Sequence, residues 1–146
     1  MAIIYVKSGS TGNGSAWNNA YGSLVSALTA AQSSDEIWVS AGTYKPTTGT
    51  DRTASFTLKN NVGIYGGFAG TETARDQRNI TTNVTILSGE IGVAGIADNV
   101  YHVVTGSSTN NTAILDGFTI TKGNANGTTG NQGTGGGMYV NNGSPT

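Results

Sequence analysis

Glu72, Arg75, Asp76 and Arg78 crowd into one short stretch, Glu72-Thr73-Ala74-Arg75-Asp76-Gln77-Arg78, of a chain with only 7 basic and 8 acidic residues. Guanidinium forks and carboxylates at this density can hold an anionic or hydroxylated ligand through charge-assisted hydrogen bonds. The same residues can instead fasten a long corner, with Arg75 or Arg78 bonding Asp76, Glu72 or backbone carbonyls that a loop must satisfy in any case. Both readings stand at this stage, with fastening favoured. The other acids, Asp35, Glu36, Asp51, Glu90, Asp98 and Asp116, are dispersed. Calcium requires about six to eight oxygens with several carboxylates converging, and only Glu90 and Asp116 occupy related places, so calcium is weighed and no metal or other cofactor is assigned. His102 is the single His and lies beside no Ser or Cys motif, so it is read as a packed strand residue and not as a general base. Gly135-Gly136-Gly137 lacks the Lys-Ser/Thr and helix of a phosphate loop. No catalytic residue is assigned. Trp17, Tyr21, Trp38 and Tyr44 offer either a platform for sugar rings or packing around the first elements, and packing is favoured because large aromatics bury most of their area.

The elements that must position these residues are those of a β protein. With 23 Gly, abundant Asn and Thr, and few charges, the chain favours turns and strands over helices. A net charge of −1 with no basic block excludes the phosphate-neutralising face of a nucleic-acid binder. No apolar run approaches the ~20 residues that insert into a bilayer. Met1 to Val6 lacks the features of a secretory signal, so export, if it occurs, rests on a removed leader or another route. The absence of Cys rules out disulfides and thiolate metal sites and leaves the compartment unread.

Order along the chain comes from a repeated pattern. Ile64-Tyr65-Gly66-Gly67, Ile86-Leu87-Ser88-Gly89 and Ile114-Leu115-Asp116-Gly117 each set a Gly three residues after an Ile, and Ile37 and Met138 extend the series at intervals of roughly 20 to 30 residues. Ile37, Ile64, Ile86, Ile114 and Met138, with Gly67, Gly89 and Gly117, therefore predict an internal ladder in an all-β solenoid. Ahead of it, Tyr21, Leu24, Val25 and Leu28 fall at helical spacing and predict one capping helix over 20–32, with Asn18 or Asn19 as N-cap. The expected organisation is one domain, 1–146, with a cap over 1–34 and about four to five turns over 35–146, truncated at the C-terminus. Ala113 to Thr121 reads as strand and Asn124 to Gly136 as a long corner loop.

Taken together, Ser15-Ala16-Trp17-Asn18-Asn19-Ala20-Tyr21, Asp35-Glu36-Ile37-Trp38-Val39-Ser40-Ala41-Gly42-Thr43-Tyr44, Tyr65-Gly66-Gly67-Phe68-Ala69-Gly70-Thr71-Glu72, Leu115-Asp116-Gly117-Phe118-Thr119-Ile120 and Gly135-Gly136-Gly137-Met138-Tyr139 resemble the start of bacterial right-handed parallel β-helix proteins. These belong to the pectate-lyase-like superfamily, with repeats akin to those of polymorphic outer-membrane proteins. The resemblance implies a right-handed parallel β-helix with one N-terminal capping α-helix, located outside the cell or on its surface. It implies a non-catalytic capping and scaffold module, adhesive or binding a polysaccharide or cell-surface ligand. Two alternatives remain open: the N-terminal part of a polysaccharide lyase or hydrolase, and a homo-oligomer or fibre subunit that pairs through exposed strand edges.

Overall fold

Runs of β-branched and aromatic residues become strands where Gly, Asn or Ser bounds them. The computed structural model, which describes residues 1–146, holds β1 (Ile3–Val6), β2 (Glu36–Ser40), β3 (Gly42–Tyr44), β4 (Phe56–Thr57), β5 (Gly63–Phe68), β6 (Thr85–Ser88), β7 (Val104–Thr105), β8 (Ile114–Asp116), β9 (Phe118–Thr121) and β10 (Met138–Tyr139). They form three sheets, ordered β1-β2-β5-β8, β3-β6-β9 and β4-β7-β10, and every strand pairing is parallel. From β2 onward the chain visits the three sheets in rotation.

This arrangement corrects the fold expected from the sequence. The sheets are small, with three or four short strands each, in place of a long stacked β-helix of four to five turns. The Ile series shows why the reading failed. Ile37 and Ile64 do lie in register in the first sheet, and both are buried. Ile86 belongs to the second sheet, half-buried between Thr43 and Thr119. Ile114 faces Gly63, and Leu115 takes the place beside Ile64. Met138 lies in the third sheet beside Val104. One apparently periodic series thus samples three different sheets, and no single internal Ile column exists.

The Gly positions divide in the same way. Gly67 ends its run inside β5, Gly89 follows β6 and Gly117 joins β8 to β9. Gly117 has φ +86, the left-handed region that glycine enters without steric cost. That turn breaks the segment 113–121, which reads as one strand, into two strands of different sheets.

The helix is shorter than its apolar spacing predicts. Helix α1 spans Leu24–Ala30, and its N-cap is Ser23, whose hydroxyl accepts from the Ser26 N–H at 3.3 Å. Asn18 and Asn19 lie instead in a 3-10 turn, Trp17–Asn19. Tyr21 precedes the helix because its backbone bridges to Val6, leaving only Leu24, Val25 and Leu28 on the helical face. Leu24 and Leu28 enter the core, while Tyr21 and Val25 pack at its margin. At the other end the Lys59 ammonium donates to the Leu28 and Ala31 carbonyls at 2.7 and 3.0 Å, satisfying acceptors that a helix end leaves free and complementing its dipole. So pinned, α1 packs on β1, β2 and β4 and closes one end of the body. The main core runs from Val6 and Leu24 through Ile37, Phe56 and Ile64 to Leu87 and Val104.

Candidate functional site

Successive strand residues point to opposite faces, so Ile37, Val39 and Ile64 of the first sheet enter the core while Tyr5, Trp38 and Tyr65 face outward. Register lines these up across the sheet as Tyr5, Trp38, Tyr65 and Asp116. Trp38 stacks on Phe68 with centroids 4.7 Å apart, and Tyr5 meets Trp17 and Trp38 edge-on at 4.8 and 5.9 Å. The loop after β5 crosses this row. Arg75 lies over the Tyr65 ring at 4.4 Å and pairs with Glu36 at 2.6 Å. Arg78 lies over the same ring at 5.2 Å and bonds the Asp116 carboxylate at 2.5 Å and the Gly66 carbonyl at 3.2 Å. Trp17 Nε1 donates to the Glu72 carbonyl, tying the loop back to the first turn of chain.

Glu72 turns inward on its own loop. Its carboxylate accepts the N–H groups of Ala69, Gly70 and Thr71 at 2.6, 2.9 and 2.9 Å. Burial alone would raise its pKa, but these backbone donors together hold it below the ordinary glutamate range. Gln77 Oε1 likewise accepts from Thr73 and Ala74. Asp76 is exposed in the 3-10 turn Arg75–Gln77. The structure therefore gathers Arg75 and Arg78 on Tyr65, directs Glu72 elsewhere and leaves Asp76 outside. The arginines fasten a corner, as the favoured sequence reading had it, and Arg78 bonds the Gly66 and Asp116 backbone carbonyls, but the carboxylates they meet are Glu36 and Asp116 and not Glu72 or Asp76. Glu36, Asp116 and Tyr65 were missed as partners; strand alternation puts Glu36 and Trp38 on one face, but it does not say which distant loop meets that face.

This fastening predicts an acid-sensitive loop. A carboxylate with a depressed folded value stabilises the protein above its unfolded value and loses that contribution as pH falls through the folded one. Glu72→Gln should cost about 1 kcal/mol near neutrality, and the difference from wild type should vanish at a pH acid enough to protonate the folded-state carboxylate. Urea titrations at the two pH values measure it, and a penalty that persists in acid would show that charge is not the cause.

The remaining sites separate. Asp116 ends β8 in the first sheet whereas Glu90 lies in the loop after β6, where it is engaged by Lys122 at 2.7 Å and by the Gly95 N–H at 3.0 Å. The Lys122 hydrogen bond, followed by that of Gly95, pushes the Glu90 pKa down, opposite to what a general acid needs. No group of three or more His, Asp or Glu side chains converges as a metal site would require. A surface cavity of about 360 Å³ opens between Glu90, Lys122, Ile96 and the buried Asn99. His102 is buried just ahead of β7, with Nδ1 3.1 Å from the Gly135 carbonyl, so that nitrogen carries the proton, and its ring stacks on Tyr139. Tyr44 is in the main core and donates to the Ser40 carbonyl, while Trp17 and Trp38 pack on the outer face of the first sheet. The four aromatics do not share one surface. Comparison of the chain with family models, with curated proteins and with solved structures yields no match in any of the three.

Proposed function

We propose that this chain is a non-catalytic scaffold module that seals one end of a three-sheet body and docks a strand-bearing partner, in the simplest case a second copy, at the other. One observation carries the reading: the two ends differ. At the first end, α1 covers the core and the outer edge of β1 is occupied, since Tyr5 bonds Gly14 while Tyr21 bonds Tyr5 and Lys7. At the far end β9 and β10 pair on one side only, and β8 is met on its outer side by Thr146 alone. There Leu115, Phe118, Ile120 and Met138 remain partly exposed although they pack on the core. Unpaired strand edges above incompletely covered apolar side chains are a template for strand addition.

The asymmetry also selects the geometry of self-association. With α1 over the core and β4, and the β1 edge occupied, only β3 keeps an uncovered edge at the first end, so head-to-tail growth into fibres is disfavoured and two open ends meet as a closed pair. Sedimentation equilibrium at rising concentration should show a monomer–dimer transition, and the double variant Ile120→Lys, Met138→Lys should stay monomeric with an unchanged circular dichroism spectrum. A wild-type chain that stays monomeric throughout, or a double variant that dimerises equally well, would remove the proposal.

A further inference from the structure

Three Asn-Gly pairs occur in the chain: Asn13-Gly14, Asn126-Gly127 and Asn142-Gly143. A following Gly puts no side chain in the way of its own backbone nitrogen, so an Asn-Gly pair can cyclise unless the fold holds it apart. The fold holds two of them. Gly14 N–H donates to the Asn19 carbonyl at 2.8 Å, and Asn13 Oδ1 accepts from Ser15 N–H at 3.2 Å and Asn19 Nδ2 at 2.8 Å. Gly127 N–H donates to the Gln132 carbonyl at 3.0 Å, and Asn126 Oδ1 accepts from the Arg52 guanidinium at 2.6 Å. The Arg52 group is itself fixed, stacked on Tyr101 and bonded to the Asn99 and Asn124 carbonyls.

The third pair has neither lock. Asn142 is exposed, its carboxamide makes no hydrogen bond, and the Gly143 N–H has no acceptor. We propose that Asn142 is a site of spontaneous covalent modification, through a succinimide, that acts as a slow timer on the open end. The Gly143 nitrogen attacks Asn142 Cγ, the N–Cγ bond forms, the Cγ–Nδ2 bond breaks, and ammonia leaves with the proton given up by the amide. Water then opens the ring at the side-chain carbonyl to give aspartate or at the main-chain carbonyl to give isoaspartate. No electron is transferred, and water is the one co-reactant.

The position gives the reaction a consequence. Directly beyond Gly143, Ser144 N–H donates to the Thr109 carbonyl and Thr146 N–H to the Ala113 carbonyl, while Leu115 N–H donates to the Thr146 carbonyl. The last of these covers the outer side of β8, and the other two hold the segment that makes it against the chain just ahead of that strand. Isoaspartate adds a methylene to the main chain and a negative charge just before them, shifting the register that the bonds need. The Leu115 N–H is thereby released to solvent or to a docking strand. The effect on docking rests on the function proposed above, whereas the reaction itself does not.

Peptide mapping by mass spectrometry, after the full chain has been held at mildly alkaline pH, reads all three sites at once. Each hydrogen-bond lock should slow cyclisation by about tenfold, so Asn142 should gain its one mass unit at least that much faster than Asn13 or Asn126. Arg52→Ala should speed conversion at Asn126 and leave Asn142 unchanged. Conversion of Asn13 or Asn126 in the wild-type chain at the rate of Asn142, or an inert Asn142, overturns the assignment whatever the oligomeric state. Amide exchange in the isoaspartate form should be faster at Leu115 and Thr146, and unchanged exchange there would overturn the timer.

Discussion

Trp38→Ala should lower the unfolding free energy by about 3–5 kcal/mol, a large fraction of the roughly 5–15 kcal/mol that holds a domain of ordinary size together. Trp38 is 3% exposed although it lies outside the main core, because the second apolar cluster and the loop after β5 close over it. Removing the indole empties the stack on Phe68 and the edge contact with Tyr5. It also removes the Nε1 bond to Glu36 at 2.8 Å, and Glu36 is the acid that pairs with Arg75. The loss therefore combines a cavity with a loosened strap. Trp38→Phe keeps most of the ring and should cost about 1–2 kcal/mol, the sum of a smaller void and one hydrogen bond. Urea denaturation midpoints at constant m-value give both numbers. If Trp38→Ala falls below about 1 kcal/mol, the aromatic row does not hold the outer face of the first sheet.

Gly117→Ala should cost about 3 kcal/mol or more, although it adds a single methyl group. Two effects combine. At φ +86 any L side chain is strained by about 1–2 kcal/mol. The added Cβ would also stand 2.9 Å from the Gly66 carbonyl oxygen and 2.9 Å from an Arg78 guanidinium nitrogen, and a backbone carbonyl inside a sheet cannot yield cheaply. Gly9→Ala is the control, since φ there is +81 and nothing lies within 4 Å of the added atom. It should show the backbone strain alone, about 1–2 kcal/mol. Equal penalties at the two positions in thermal or urea unfolding would mean that the close approach of β5 to the Gly117 corner contributes nothing.

Much of the local structure was legible. The β-branched and aromatic runs at Ile37, Ile64 and Ile114 do become strands, because extended preference is a property of a few neighbouring residues. The apolar spacing at Leu24, Val25 and Leu28 identified a helix, but its start was misplaced because the Tyr21 bridge to Val6 is a long-range hydrogen-bonding choice. The Arg75 and Arg78 cluster was visible as a charge cluster. Its partners Glu36 and Asp116 lie 39 and 38 residues away, and no local pattern could pair them.

What the sequence determined by itself was therefore the strand-rich character, the single helix and the places where Gly permits a turn, since each depends on chemistry within a few residues. Which strands share a sheet was decided by the tertiary structure alone. Loops of unequal length separate β5, β6, β7 and β8, and the Gly117 turn transfers the chain between sheets, so an Ile that looks like one more rung belongs to a different sheet or faces a different neighbour. Side-chain burial and long-range pairing select that arrangement, and neither is recorded in the spacing of residues along the chain.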